Sequence, residues 1–487
     1  MLSILICHSY FMRLDPKQWA RRKPYPPLAT LTAAQLLRAE GHDVVLFDSM
    51  LAEGADEYER LLVEHRPDVV LLYEDNYNFL TKMCLAAMRE AACGMIRTAR
   101  HRGAKVIASG SDASDDPEPY LHAGAGAVLT GEGLATLLDL VPRLMAAPEA
   151  AFSPLAKGLA SIVTLDEGRP VKVNGPNLLP DSRLPRLPAW DLVDMERYRS
   201  AWREAHGYFS LNMVASRGCP FRCTWCAKPI WGSQYRQRHA VDVADEMTHL
   251  KRSFRPDHIW FADDIFGFRV DWIEEFSGRL VETDGHIPFT IQSRADLISE
   301  RMARALSDAG CREAWLGAES GSQRVLDAMH KGTTVAEIVT ARARLRAVGI
   351  RVGFFIQLGY LGEEIEDIIA TRTLLETALP DDVGVSVAYP LPGTQFHALV
   401  KEQLRGKTHW QDSDDLAMMF QGTYTSEFYR GIRDLIHDQV RLNQPTSLPT
   451  PGSIDPRSLE ERWTDLVSQA NRHRSPGQVG AALSGRP

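Results

Sequence analysis

Short, nearly unbroken apolar runs that alternate with amphipathic stretches govern what this chain can fold into. In the first 150 residues the runs fall at 2–7, 44–48, 68–73, 105–109 and 126–130, with helical patterns at 28–39, 56–65, 81–102, 118–122 and 134–145. Strands apolar on both faces and separated by helices belong to a parallel sheet covered on both sides. Ligands of such sheets bind outside the carboxyl ends of the strands. Those ends carry Ser9 and Tyr10, then Tyr73 to Asn76, then Ser109, Gly110, Ser111 and Asp112, then Gly131, Glu132 and Gly133. The glycines admit close backbone approach to a ligand and would equally serve an ordinary turn.

The alternation resumes at residue 211, with strands at 211–215, 258–262, 288–292, 313–317, 351–358 and 383–388 and helices at 241–254, 270–282, 299–308, 334–348 and 364–379. Such a run predicts a partial (βα)6 barrel, whose chemistry sits at the carboxyl ends of its strands. Polar residues gather there: Asp263 and Asp264, Ser293 and Arg294, Glu319 and Ser320 with Ser322, and Gln357.

Between these two halves of the pattern stands Ser216-Arg-Gly-Cys-Pro-Phe-Arg-Cys-Thr-Trp-Cys-Ala227, in which Cys219, Cys223 and Cys226 are spaced CxxxCxxC. Three thiolates on one loop suit an iron–sulfur cluster or zinc. A closed structural zinc site would recruit a fourth ligand, commonly a second CxxC pair, and no such pair exists. The other cysteines read as spectators: Cys84 and Cys93 lie nine apart on a predicted helix, hence on opposite faces, and Cys7 and Cys311 read as buried free thiols.

With Trp225 before the last cysteine, the loop resembles the signature of the radical S-adenosylmethionine (SAM) superfamily. The resemblance implies a 4Fe-4S cluster held by Cys219, Cys223 and Cys226, with SAM chelating the fourth iron. It extends to Ala318-Glu-Ser-Gly-Ser-Gln323 with Lys331-Gly-Thr333, where it implies that Glu319 and its neighbour Ser320 contact SAM, and to Gly353-Phe-Phe-Ile-Gln-Leu-Gly359. Phe261-Ala-Asp-Asp-Ile-Phe266 stands where many members carry Gly-Gly-Glu, so Asp263 is the expected substitute, a carboxylate able to pair with the ammonium group of SAM. Trp225, Ser293 and Gln357 complete the expected SAM shell.

Residues 1–150 resemble the cobalamin-binding domain found before the barrel in one large branch of that superfamily, through Pro26-Pro-Leu28, Gly41-His-Asp43, Ser109-Gly-Ser111 and Gly131-Glu-Gly133. By that resemblance Ser9, Tyr10, Asn76, Ser109, Gly110, Ser111, Gly131, Glu132 and Gly133 line a cobalamin site. Two departures matter: no Asp-x-His-x-x-Gly motif offers a histidine to cobalt, and Ser109-Gly-Ser-Asp112 replaces the usual Gly-Gly-His. A flavodoxin-like domain with another ligand is the alternative for this half.

The fold class expected is therefore α/β: an N-terminal doubly wound cobalamin-binding domain (1–150), a proline-rich linker (151–205), a partial radical SAM barrel (206–390), a helical cap (391–445) and a mobile tail (446–487) carrying one helix at 456–472. The cap, with Met418, Met419 and Phe420, suits a substrate pocket or plain core packing. The resemblance implies a carbon methyltransferase consuming two SAM per turnover. The alternatives are an oxidative cyclase or ring-rearranging enzyme of tetrapyrrole or natural-product biosynthesis and, from another class, a non-catalytic cobalamin or redox-sensing module.

Composition fits an enzyme of small molecules. With 55 Lys and Arg against 63 Asp and Glu, the net charge of −8 gives no broad basic surface for nucleic acid. No run reaches the ~20 apolar residues a membrane span needs, and the opening residues lack the form of a secretory signal. The expected setting is the cytoplasm, with a flavodoxin or ferredoxin as electron donor.

Overall fold

The computed structural model describes residues 1–83, 85–175, 178–226, 230–231, 234–404, 406, 408–443 and 455–475. They divide into two compact units, the first holding 1–219, 228–262 and 409–415, the second 220–227, 263–408 and 416–487. Cys84 and the end of the expected tail lie outside the described residues.

The first unit is built on a seven-stranded sheet. Strands β1 (Ser3–Cys7), β2 (Asp43–Phe47), β3 (Val69–Tyr73), β4 (Lys105–Ser109) and β5 (Ala127–Leu129) are parallel in the order β2-β1-β3-β4-β5. Alternate residues serve opposite faces. Ile4, Ile6, Leu71, Tyr73, Ile107 and Leu129 pack with the helices Leu28–Ala39 and Leu134–Ala146. Leu5, Cys7, Val70, Leu72, Val106 and Val128 pack with the helices Ala55–His65, Ala86–His101 and Glu118–Ala123 on the other side. Burial on both faces is what the unbroken apolar runs required. The strand order reverses between β1 and β3, so the switch point, where ligands of such sheets bind, lies between the carboxyl ends of those two strands.

Two findings differ from the sequence reading. Residues 162–173, expected as linker, form strands β6 (Ile162–Asp166) and β7 (Arg169–Val173), which add antiparallel to the edge of the sheet beside β5. Exposed Arg169, Pro170 and Lys172 hide the second strand from an apolar pattern, as an edge position allows. The expected linker also contains the helix Met195–His206, capped by Asp194 through Glu196 and Arg197 backbone N–H groups.

A second set of parallel strands is divided between the units. In the first, β8 (Ser210–Met213) pairs with a later strand, His258–Phe261. Between them β9 (Ser216–Arg217) pairs antiparallel with β10 (Arg236–Gln237), bracketing the cysteine loop; His258–Phe261 is β11. In the second unit β12 (Phe289–Ser293), β13 (Cys311–Glu319), β14 (Arg351–Leu358) and β15 (Asp382–Val387) lie side by side, all parallel. These are the strands of the expected half-barrel. The expected cap helix is Ser426–Leu442, and the tail holds the helix Pro456–Ser468. Phe420 belongs to a buried cluster with Val325, Met329, Tyr360, Phe396 and Val400, so core packing accounts for it. Among the described residues no helix is long and apolar enough to cross a membrane.

Candidate active site

In the first unit the site grows from the switch point. β1 ends in His8, Ser9 and Tyr10, all buried, and β3 ends in buried Glu74, Asp75 and Asn76. Ser9 bridges the two ends: its Oγ donates to Glu74 Oε1 at 2.6 Å and its backbone N–H to the same carboxylate at 3.1 Å. Burial pushes the Glu74 carboxyl up, against the opposing pull of His8 and Ser9. Asp75 is pushed up to about 6 by burial, although the Ala29 N–H donates to it at 3.0 Å.

Gly110 lies against this carboxylate. A Cβ there would stand 2.6 Å from Glu74 Cγ, so the loop after β4 passes over Glu74 only as glycine. The flanking hydroxyls, Ser109 Oγ and Ser111 Oγ, are buried without a hydrogen-bond partner. Buried polar groups are nearly always paired, so the unpaired hydroxyls at the end of β4 mark a place for polar groups of a ligand. This is the fit expected of a cobalamin site, and the donors and acceptors suit its amide side chains.

Other expected members of that site are committed to the protein. Tyr10 donates to Asp15 Oδ2 at 3.2 Å, and Asp15 Oδ1 accepts from Ser413 at 2.6 Å. Glu132 accepts from the Leu179 N–H at 2.8 Å and pairs with Arg217, which also pairs with Asp181. Glu132 therefore ties the Gly131–Gly133 turn to the strand that leads into Cys219. Its flanking glycines, Gly131 and Gly133, both take left-handed φ, at +68° and +71°. Sequence reasoning missed the environment of Asp112, which accepts from Arg89 at 2.5 Å, from Tyr120 at 2.8 Å and from His409 at 2.8 Å. Burial alone would raise this carboxyl, but His409 and Arg89 outweigh it and hold it down at about 2. His8, at the end of β1, is held by Asp48 at 2.9 Å and by Ser49.

In the second unit Cys223 and Cys226 are half-buried; Cys219, half-buried too, falls in the first. Among the described residues no three His, Cys, Asp or Glu side chains are gathered tightly enough to hold a metal ion. The spacing places three thiols on one loop, and drawing ligands together is part of metal binding. The backbone between them is fixed: Thr224 donates its N–H to Met329 O at 2.9 Å, its Oγ1 meets Tyr360 OH at 2.7 Å, and its carbonyl accepts from Phe396. Trp225 packs on the Val325–Phe420 cluster, and its buried indole N–H has no partner.

Cys223 meets a cation that the sequence reading did not single out as a site residue. Arg294 Nη1 lies 3.8 Å from Cys223 Sγ. Lys331 is close enough for its charge to be favoured by the same sulfur. Burial works against the charge of this lysine, while Glu319, at 2.7 Å, and then Cys223 raise its pKa overall. Glu319 takes φ +61° at the end of β13, a left-handed conformation that costs a non-glycine residue about 1–2 kcal/mol. Strain of this kind collects at functional positions.

The remaining expected residues divide in the same way. Ser293 donates to Phe266 O at 2.9 Å, and Ser320 meets Thr371 at 3.2 Å, so both hydroxyls have protein partners. Gln357 Oε1 is buried without one. Asp263 is buried at the end of β11. A cavity of about 230 Å³ lined by Met1, Leu37, His42 and Met145 lies at the amino end of the first sheet, away from these groups.

Residues 213–375 match the Radical SAM superfamily. The chain carries that domain. It is 26% identical to an uncharacterized methyltransferase of Pyrococcus horikoshii over 76% of this chain and 77% of the relative. Against the hopanoid C-3 methylase of Methylococcus capsulatus it is 24% identical over 78% and 69%. Against the anaerobic magnesium-protoporphyrin IX monomethyl ester cyclase of Rubrivivax gelatinosus it is 23% identical over 76% and 65%. Among solved structures it shares its fold with the radical SAM methyltransferase TsrM of Kitasatospora setae, solved with cobalamin and a 4Fe-4S cluster (TM-score 0.66, 19% identity, 82% of this chain and 78% of that one). It shares it equally with the cobalamin-dependent radical SAM enzyme OxsB (TM-score 0.68, 17% identity, 97% and 71%). The chain thus carries a radical SAM domain and shares the fold of solved cobalamin-dependent radical SAM enzymes.

Proposed function

We propose that this chain is a cobalamin-dependent radical SAM methyltransferase that methylates an unactivated carbon of a small metabolite. The observation that carries the reading is one chain joining a radical SAM domain with its cysteine loop to a doubly wound sheet whose strand β4 ends in buried hydroxyls without partners. When bound, the cluster and SAM supply a 5′-deoxyadenosyl radical and cobalamin supplies the methyl group. Cys219, Cys223 and Cys226 hold the cluster. Glu319, oriented by Lys331, contacts SAM, with Trp225, Asp263, Ser293, Ser320 and Gln357 around it. Asn76, Ser109, Gly110 and Ser111 receive cobalamin with Ser9, Tyr10 and the Gly131–Gly133 turn nearby. The electron comes from a flavodoxin or ferredoxin, and no nucleic acid is a substrate.

The cyclase among the relatives favours a second reading, oxidative ring closure. Stoichiometry separates the two. A methyltransferase of this type releases S-adenosylhomocysteine and 5′-deoxyadenosine in step with a product heavier by one methyl group. Product with 5′-deoxyadenosine alone and no added methyl, in an anaerobic reduced reaction with candidate metabolites, would overturn the methyltransferase and promote the cyclase.

A further inference from the structure

Arg294 is held more firmly than a residue at a strand end needs to be. Its Nε donates to Asp296 Oδ1 at 2.9 Å and its Nη2 to Asp296 Oδ2 at 3.2 Å. Nη2 donates as well to Lys331 O at 2.6 Å and to Thr333 Oγ1 at 3.0 Å. The guanidinium carbon lies 3.7 Å from the ring centroid of Phe221, itself a residue of the cysteine loop. A guanidinium has five N–H donors in one rigid plane. With Nε and Nη2 engaged, the plane is fixed and Nη1 is left facing Cys223 Sγ, 3.8 Å away. The loop therefore wraps the guanidinium between Phe221 and Cys223, in a site where Arg294 is only 5% exposed.

We propose that Arg294 tunes the cluster, donating an N–H···S hydrogen bond to the Cys223 thiolate and raising the cluster's reduction potential. The inference rests on the cluster assignment above. Hydrogen bonds to the sulfurs, local charge and burial set the potentials of such clusters. Reduction adds one electron from the external donor and no proton, so the sulfurs gain negative charge. A donor aimed at one sulfur stabilises the reduced form more than the oxidised form. The bond is also aimed before the cluster arrives, because Asp296, Lys331 O, Thr333 and Phe221 hold the fork whether or not iron is present.

The test is an anaerobic redox titration of the reconstituted cluster without SAM, followed by electron paramagnetic resonance, in wild type, Arg294→Gln and Arg294→Lys. In Arg294→Gln the ratio of reduced to oxidised cluster at the wild-type midpoint should fall about tenfold, equivalent to 59 mV for a one-electron couple. Arg294→Lys keeps the charge but loses the planar fork and should fall by a smaller factor, about threefold. An unchanged midpoint in Arg294→Gln with full iron content overturns the proposal. If that variant takes up no iron, Arg294→Lys decides alone, a lowered midpoint upholding the proposal and an unchanged one overturning it. A wild-type protein that takes up no four-iron cluster would instead overturn the cluster assignment.

Discussion

Lys331 donates from Nζ to Glu319 Oε1 across 2.7 Å, and both side chains are buried. Gly317 makes the room: a Cβ there would stand 2.6 Å from Nζ and 2.7 Å from Oε1. The pair gives the Glu319 carboxylate one orientation. Removing one partner of a buried pair leaves an uncompensated charge and costs about 3–5 kcal/mol, whereas replacing both with apolar groups costs far less. Lys331→Met and Glu319→Leu should each destabilise the apoprotein by that order in urea denaturation, and the double variant by less than the sum. Strict additivity would show that the two are not coupled.

Three cysteines and the spectators separate by iron content. Cys219→Ala, Cys223→Ala and Cys226→Ala should each abolish reductive SAM cleavage, and the triple variant should reconstitute to negligible iron. Cys93→Ala should keep both, because Cys93 sits on the helix Ala86–His101 with its thiol near Pro119 O. Iron retained at full level in the triple variant contradicts the assignment.

Two glycines predict opposite outcomes. Gly110→Ala drives a methyl into the side chain of Glu74, which Ser9 pins by two hydrogen bonds, so it should lower Tm and weaken cobalamin binding at least tenfold. Gly94, within the helix Ala86–His101, has nothing within 4 Å of a built Cβ. Gly94→Ala should stabilise by about 0.5–1 kcal/mol through helix propensity. Thermal melts of the apoprotein and cobalamin titration check both.

The unpaired hydroxyls make a sharper test of the cobalamin site. A buried hydroxyl without a partner costs about 1–3 kcal/mol, so Ser109→Ala and Ser111→Ala should leave the Tm of the apoprotein unchanged or raised. If each hydroxyl serves cobalamin, the same variants should bind it about 2–10-fold more weakly, the worth of one hydrogen bond. Loss of apoprotein stability with unchanged cobalamin affinity would assign both serines to structure.

What the sequence made legible follows from the range of each interaction. The parallel strands declare themselves because each buries both faces, as Ile4 and Ile6 against Leu5 and Cys7 show. Strand β7 does not, since its pattern of exposed residues matches any polar connector. Ser109, Gly110 and Ser111 could be placed at a strand end, but nothing local reveals that Gly110 is required by Glu74, 36 residues earlier. Arg294 is visible as a polar residue after a strand and Lys331 within Lys331-Gly-Thr333; the approach to Cys223 depends on Asp296, Thr333 and Phe221 meeting in space. His409 on Asp112 spans 297 residues and has no sequence signal. Glu132, expected at the cofactor, is committed to Arg217 because the charge that claims it lies 85 residues away.

Glu363 gives the pH dependence. It is buried after β14, accepts from the Gly359 N–H at 2.6 Å through Oε2, and leaves Oε1 without a partner. Burial, aided by the nearby Asp367 charge and opposed by the Gly359 hydrogen bond, pushes its carboxyl up to about 8. In the unfolded chain the carboxyl ionises at about 4.3. Between those values the folded state holds one proton more than the unfolded state, so its stability falls as pH rises, by up to about 1.4 kcal/mol per pH unit. Above about pH 8 both states are ionised and this contribution is constant. Glu363→Gln keeps an oxygen for the Gly359 N–H and cannot ionise, so it removes that slope. The variant should match wild type in urea denaturation near pH 5 and exceed it by a few kcal/mol near pH 9. Equal slopes for the two proteins between pH 5 and 8 would show that Glu363 is ionised in the folded state throughout.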